Sequence, residues 1–205
     1  LLYYTYEVTK MNLPESHSWK HIFVYESGMI DPQPGYSNSG PGCQMYDNHR
    51  KALDFVLSGG WELSPHTPLD IHRILTKDIP FFERDSGKYR TVDVWIGHDI
   101  CPTPVVLDNL MKIWYTKSKE LINKAYENKI DPLVAAWASH HMFQVVHPFI
   151  DGNGRTGRLI LNKVLNDLGQ DPLIIRFDDR SNYYESIQEF RDYCFTGKDF
   201  YLGEL

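Results

Sequence analysis

Two stretches of helical pattern meeting at a sharp, glycine-rich turn constrain this chain more than any other feature. Pro132 to Val146 is strongly apolar, as a central helix requires, and His147-Pro148 ends it. Gly154 to Leu168 places Leu161, Val164, Leu165 and Leu168 on one side and stops at Gly169. Residues 132–168 therefore read as helix, sharp loop, helix, with the loop carrying a dense group of reactive side chains.

Most of the remaining pattern is also helical. Ser18 to Asp31 suits a short helix stopped by Pro32, and the Pro-, Gly-, Ser- and Asn-rich run from Pro32 to Cys43 suits a surface loop. Asp47 to Leu57 carries Ala52, Leu53, Val56 and Leu57 at helical spacing ahead of Gly59 and Gly60. Thr67 and Pro68 suit an N-cap and a first helical position before Leu69, Ile71, Ile74 and Leu75. The period changes at Tyr89 to Gly97, where Val92, Val94 and Ile96 alternate after an Asp85-Ser86-Gly87 turn; a short hairpin or extended flap is expected. Long helices are expected again from Leu107 to about Asn128 and from near Ser181 to about Phe195. No repeat or linker divides the 205 residues, so a single domain over 1–205 is predicted, all-α with a small β-hairpin flap.

Composition excludes more than it selects. A net charge of -6 without a basic stripe argues against nucleic acid and acidic membrane surfaces as partners. No apolar run approaches the roughly 18 residues needed to span a bilayer, and no leader with a basic start and an apolar centre is seen. The 3 cysteines, Cys43, Cys101 and Cys194, are widely spaced and lack metal-binding spacing, which predicts reduced thiols in a cytoplasmic setting.

The segment HPFIDGNGRTGR, His147 to Arg158, carries the chemistry. Alone, a histidine is usually a hydrogen-bonded structural residue, but His147 sits among groups suited to a nucleotide triphosphate. Its imidazole can accept a proton from a hydroxyl near neutral pH. Phe149 and Ile150 can anchor the loop and fix that ring. Asp151 is a hard oxygen ligand of the kind that holds magnesium beside phosphates, although an Asx turn competes for it. Gly152, Asn153 and Gly154 let backbone amides approach an anion at a helix start. Arg155 and Arg158, three apart, oppose the helix dipole unless an anion joins them.

The whole segment matches HxFx(D/E)GNGRxxR, and from Trp19 to about Phe190 the chain resembles the Fic family. GKYRTVDVWIG, Gly87 to Gly97, resembles that family's flap, with Val94, Trp95, Ile96 and Gly97 at its edge and the flap as a whole spanning 87–100. Pro102, Pro104, Val106, Leu107 and Met111 resemble the segment that follows. His140 and His141 fall where the family has histidine before its catalytic loop and read as packing or hydrogen-bonding residues. Asn162 and Leu165 continue its RLxLNxxL pattern, and Arg180, Tyr183 and Tyr184 resemble a segment lying against the nucleotide base.

The resemblance implies transfer of AMP from ATP to a Ser, Thr or Tyr hydroxyl of a target protein. It implies His147 as base and Asp151 as the ligand of Mg2+ on the α- and β-phosphates. It gives Asn153 and the amides of Gly152, Gly154, Arg155, Thr156 and Gly157 to the phosphates, and Arg158 to the terminal one. Such a reaction needs charge neutralisation and alignment more than covalent help. Transfer of UMP, phosphocholine or phosphate is the nearest alternative, followed by AMP removal and by a nucleotide-binding module without turnover. Self-modification and a homo-oligomer stay open.

Many members of the family carry an inhibitory helix with the motif (S/T)xxxE(G/N), whose glutamate pairs with the second arginine. Residues 18–32 stand in that place: Ser27 matches the first position, Asp31 replaces the glutamate, and Pro32 replaces Gly or Asn. Aspartate is one methylene shorter, so a poorer reach to Arg158 and weakened self-inhibition are expected.

Overall fold

A computed structural model describes residues 18–31, 43–196 and 199–200, with backbone only for 195–200. The expected loop from Pro32 to Cys43 falls almost wholly outside these residues, as does the stop at Pro32. Seven α-helices appear among the described residues: α1 (Trp19–Ile30), α2 (Gln44–Leu57), α3 (Thr67–Leu75), α4 (Leu107–Tyr126), α5 (Pro132–Val146), α6 (Asn153–Asp167) and α7 (Arg180–Cys194). The strands are short: β1 (Trp95–Ile96) pairs antiparallel with β2 (Asp99–Ile100), and β3 (Phe195–Thr196) with β4 (Asp199–Phe200). The second pair has no counterpart in the sequence reading.

The central helix α5 starts where Asp131 accepts the Leu133 amide at 2.7 Å and Pro132 fills the first turn. Ala135, Ala136, Met142, Phe143, Val145 and Val146 are fully buried along it. It packs on α6, whose Leu159, Ile160, Leu161 and Val164 are equally enclosed. Helix α4 covers α5 on another side, and the Trp114 indole N–H, deep in that contact, donates to the Ser139 carbonyl at 2.9 Å. Helices α2 and α3 lie on α6, α7 lies on α5, and α1 reaches both α2 and α6. The Asn162 carboxamide closes the underside by pairing with both the N–H and the C=O of Leu173, at 2.9 Å each.

Two expected details differ. Thr67 is the first residue of α3 rather than its cap; His66 precedes it, and the Thr67 hydroxyl accepts the Ser64 amide at 2.9 Å instead. The alternation from Tyr89 does not make a strand until Trp95, because the earlier residues are held by other partners. The Arg90 amide donates to the Pro148 carbonyl at 2.9 Å, and the Arg90 guanidinium takes the Val92 carbonyl at 3.0 Å. Only Trp95↔Ile100 and Ile96↔Asp99 pair, around a turn at Gly97, where φ is 60°.

Candidate active site

The loop 147–152 is bounded by two left-handed residues, His147 at φ 50° and Gly152 at φ 81°. The first terminates α5, with its amide on the Phe143 carbonyl, and the second is the N-cap of α6. Asn153 clamps the loop between them: its Oδ1 accepts the Phe149 amide at 2.9 Å and its Nδ2 donates to the Phe149 carbonyl at 2.8 Å. The Asn153 side chain was expected to face phosphate, but it is buried and spent on this clamp. Phe149 in turn stacks on His72, ring centroids 3.9 Å apart. His72 Nδ1 accepts the Gly87 amide at 3.0 Å, which leaves Nε2–H to donate to the Asp151 carbonyl at 3.0 Å.

The same logic sets the tautomer of His147. Its Nδ1–H donates to the Gln144 carbonyl at 3.2 Å, so Nε2 carries the lone pair. Burial is the main cause that lowers its pKa to about 4, with Arg90 adding to the effect and Gln144 and Asp31 opposing it. The ring is therefore neutral at physiological pH and lines a cleft of about 430 Å³. Asp31, Ile96, Gly97, Gln144, Tyr184 and Arg191 line the same cleft, together with residues 150–155.

At the floor of the cleft the first amides of α6 lack helical partners, as every helix start does. Arg155 is buried beside them, its Nη2 without a hydrogen bond and 3.9 Å from Asp151 Oδ1. Asp151 Oδ1 accepts the adjacent Gly152 amide at 2.5 Å, and its other oxygen has no hydrogen bond among the described residues. No group of three or more His, Cys, Asp or Glu among the described residues is placed to hold a metal. Thr156 and Gly157 were read as phosphate-facing, but they do not line the cleft. Thr156 is buried, and a Cβ at Gly157 would come within 2.0 Å of Gln144 Nε2, so that glycine serves packing.

Arg158 is enclosed, and each of its three side-chain nitrogens has a partner. Its Nε donates to Ser27 Oγ at 2.8 Å, Nη2 to the Ser27 carbonyl at 2.8 Å and to Asp31 Oδ2 at 2.9 Å, and Nη1 to the Tyr183 hydroxyl at 3.3 Å. The shorter aspartate reaches Arg158 through one nitrogen rather than as a two-point fork. Close approach is allowed by Gly154, where a Cβ would lie 2.1 Å from Asp31 Oδ2. Burial raises the Asp31 pKa, yet Arg158, the Tyr184 hydroxyl and Arg155 outweigh it and leave it below its ordinary value. A carboxylate thus sits on the start of α6, where an anion is favoured.

The two tyrosines divide. Tyr183 is almost fully buried in the cleft wall, and its hydroxyl joins His140 Nε2, at 3.1 Å, to Arg158. Tyr184 stands half-exposed at the cleft with its hydroxyl on the Ile30 carbonyl at 2.9 Å and Asp31 Oδ1 at 2.8 Å. His141 meets Ser186 Oγ at 3.1 Å, so both histidines before the loop are hydrogen-bonded packing residues. Arg180 lies over the Phe177 ring, away from the cleft lining. On the hairpin, Ile96 and Gly97 face the cleft, Trp95 is exposed, and the Val94 carbonyl accepts the Cys101 amide at 3.0 Å. Helix α7 steadies the hairpin: Gln188 Nε2 donates to Asp99 Oδ2 at 3.2 Å, and Arg191 Nη2 to the Ile100 carbonyl. His72, Arg90, Gln144, Gln188 and Arg191 escaped the sequence reading because their partners are mostly backbone groups distant in sequence.

The Fic/DOC family model matches residues 62–165, just over half of the chain and inclusive of the whole loop motif. The chain belongs to the Fic/DOC family. It is similar to a protein adenylyltransferase Fic of Nematostella vectensis, 36% identical over 122 residues, which is 59% of this chain and 27% of that protein. The chain thus spans about a quarter of the length of the curated relatives it matches. Among solved structures, Fic-1 of C. elegans superposes with a TM-score of 0.68 at 25% identity, covering 86% of this chain and 56% of the other. A Fic domain containing signaling protein from Bacteroides thetaiotaomicron superposes with a TM-score of 0.70 at 21% identity, over 86% and 74% of the two chains. The Fic fold therefore extends beyond the matched 62–165 core, while α1, with Ser27 and Asp31, lies outside that core.

Proposed function

We propose that this Fic chain is a protein adenylyltransferase. The observation that carries the reading is the neutral His147, its Nε2 lone pair held in a cleft whose floor is the amide-rich start of α6 with Arg155 buried beside it. The hydroxyl of a target Ser, Thr or Tyr attacks the α-phosphorus of ATP in line. Its proton passes to His147 Nε2, the bond from the α-phosphorus to the bridging oxygen breaks, and pyrophosphate leaves. The α6 amides and Arg155 offset the phosphate charge, and Ile96 and Gly97 present a hairpin edge to the target beside the base. Asp151 suits Mg2+, since one oxygen accepts the Gly152 amide and the other remains for a cation that would take its further ligands from phosphates and water. Magnesium would supply charge neutralisation on the polyphosphate. The free cysteines fit a reducing, cytoplasmic setting.

The test supplies ATP labelled either at the α- or at the γ-phosphorus, with magnesium, to the protein in a cell lysate. Label from the α-position alone, stable on a denaturing gel, is the expected result. Label from the γ-position indicates phosphate transfer instead, and no label from either despite ATP binding sinks the reading.

Asp31 has a regulatory part in the same proposal. Its carboxylate occupies Arg158 and the start of α6, the ground a terminal phosphate needs. The one-point contact is weaker than a fork, so restraint is partial. Asp31→Ala is expected to raise the initial rate of AMP transfer about tenfold, the equivalent of ~1.4 kcal/mol. An unchanged rate and unchanged ATP affinity would show that Asp31 merely ends α1.

A further inference from the structure

Arg90 is 2% exposed, and its guanidinium meets no substrate-facing surface. All its nitrogens donate to backbone carbonyls: Nε to His147 at 2.9 Å, Nη1 to Val92 at 3.0 Å, and Nη2 to Pro102. Its own amide donates to Pro148 at 2.9 Å. Those acceptors belong to separate parts of the site. His147 and Pro148 begin the catalytic loop, Val92 precedes β1, and Pro102 follows β2. Burying a guanidinium is costly unless it is hydrogen-bonded, and here each of its three nitrogens is bonded, to three points that must keep their mutual spacing.

The His147 contact has a further consequence. A histidine at φ 50° and ψ 60° holds a conformation that residues with a Cβ adopt rarely and keep only when surroundings impose it. The carbonyl that Arg90 grips belongs to that same residue. It also lies at the C-terminal end of α5, where the helix dipole favours a cation. The far end of the loop is held separately, through Gly87, His72 and the Asp151 carbonyl.

We infer that Arg90 is a positioning residue for the transfer step: it holds His147 in its left-handed conformation and ties the hairpin to it, so that base and target-binding edge form one rigid unit. The inference rests on the transferase reading for its kinetic consequence but not for its structural one. Lysine keeps the charge and loses the fork, since one ammonium cannot reach three carbonyls along fixed directions.

The decisive variants are Arg90→Lys and Arg90→Gln, the second retaining a planar group with two donors in case the first does not fold. In the folded variant, the His147 Cα and Cβ carbon resonances are expected to leave their left-handed values or broaden, while those of Phe149 and Asn153 stay. The kcat for AMP transfer should fall about a hundredfold, the scale of a misplacement near 1 Å, with ATP affinity within about twofold because Arg90 does not line the cleft. Unchanged His147 resonances with unchanged kcat overturn the inference. So does a fall in kcat matched by equal losses of ATP affinity and melting temperature, which would mark Arg90 as general scaffolding. If the wild-type chain transfers no AMP, the transferase reading fails, and the His147 resonances still decide what Arg90 holds.

Discussion

Alanine in place of His147 is expected to slow AMP transfer about a thousandfold while leaving ATP affinity within about twofold of its wild-type value. The split follows from the geometry. On the proposed reading the phosphates are met by the α6 amides and Arg155 rather than by the imidazole, so nucleotide binding is expected to survive. Among the described residues the other acid groups of the cleft are committed elsewhere: Asp31 to Arg158 and Tyr184, and Asp151 through one oxygen to the loop amide and, on the proposed reading, through the other to the cation. General-base catalysis contributes about 10²–10⁴ in rate, and its whole loss sets the expected size. A pH profile checks the identity of the base. Burial holds His147 to a pKa of about 4, so the base form persists from pH 8 downward. The rate should stay flat to about pH 5.5 and fall only below it, read where tryptophan fluorescence reports a folded chain. An acid limb centred near 6.5 would mean that the imidazole is fully solvated during turnover, and a variant keeping a tenth of the rate would remove His147 from the chemistry.

What could be read in the sequence divides along a physical line. Helix α5 matched its expected bounds because both ends carry local signals, Asp131-Pro132 at the start and the His147-Pro148 pair at the finish. Helix α6 begins at Asn153 because its side chain closes on Phe149 four residues back, a contact that apolar periodicity does not encode. The pairing of Ser27 and Asp31 with Arg158 was legible only as a family likeness, since 127 residues separate Asp31 from Arg158. Contacts such as His72 to the Asp151 carbonyl, across 79 residues, and Arg90 to the His147 carbonyl, across 57, left no local trace. A side chain that serves a backbone group needs only reach and polarity, and many sequence contexts provide both. The tyrosine pair divides for a reason of helix geometry. Tyr183 and Tyr184 are adjacent on α7 and so point apart by about 100°. Both line the cleft, but Tyr183 is enclosed and bonded to Arg158 whereas Tyr184 is half-exposed and bonded to Asp31, a split that their shared chemistry conceals.

Mild acid is expected to unfold this chain well above the range where carboxylates titrate. His72, His141 and His147 have pKa values lowered to about 4, and His49 and His140 lie well below the ordinary 6.5. Burial is the leading cause for each. Arg155 and Arg158 add to it at His49, Arg155 at His72, His141 and Arg158 at His140, and Arg90 at His147. Each ring is neutral when folded, whereas in the unfolded chain it takes up a proton as pH falls through about 6.5. Unfolding then binds protons, so stability drops with falling pH across the window from about 6.5 down to 4, and is fully retained above it. One proton corresponds to about 1.4 kcal/mol per pH unit. The fully enclosed rings of His49, His72 and His140 alone give a limiting slope of about 4 kcal/mol per pH unit, and all five give about 7. A domain typically has about 5–15 kcal/mol to lose. Asp167, whose pKa burial raises, opposes the trend with a single group, and the lowered Asp31 reinforces it only at still lower pH. Urea unfolding followed by tryptophan fluorescence at pH 7, 6, 5.5 and 5 measures the slope, and His141→Gln should reduce it by up to one proton. Equal urea midpoints at pH 7 and pH 5 would mean that these histidines are solvated or protonated within the fold, and the tautomers on which the His72 and His147 contacts depend would fall with that result.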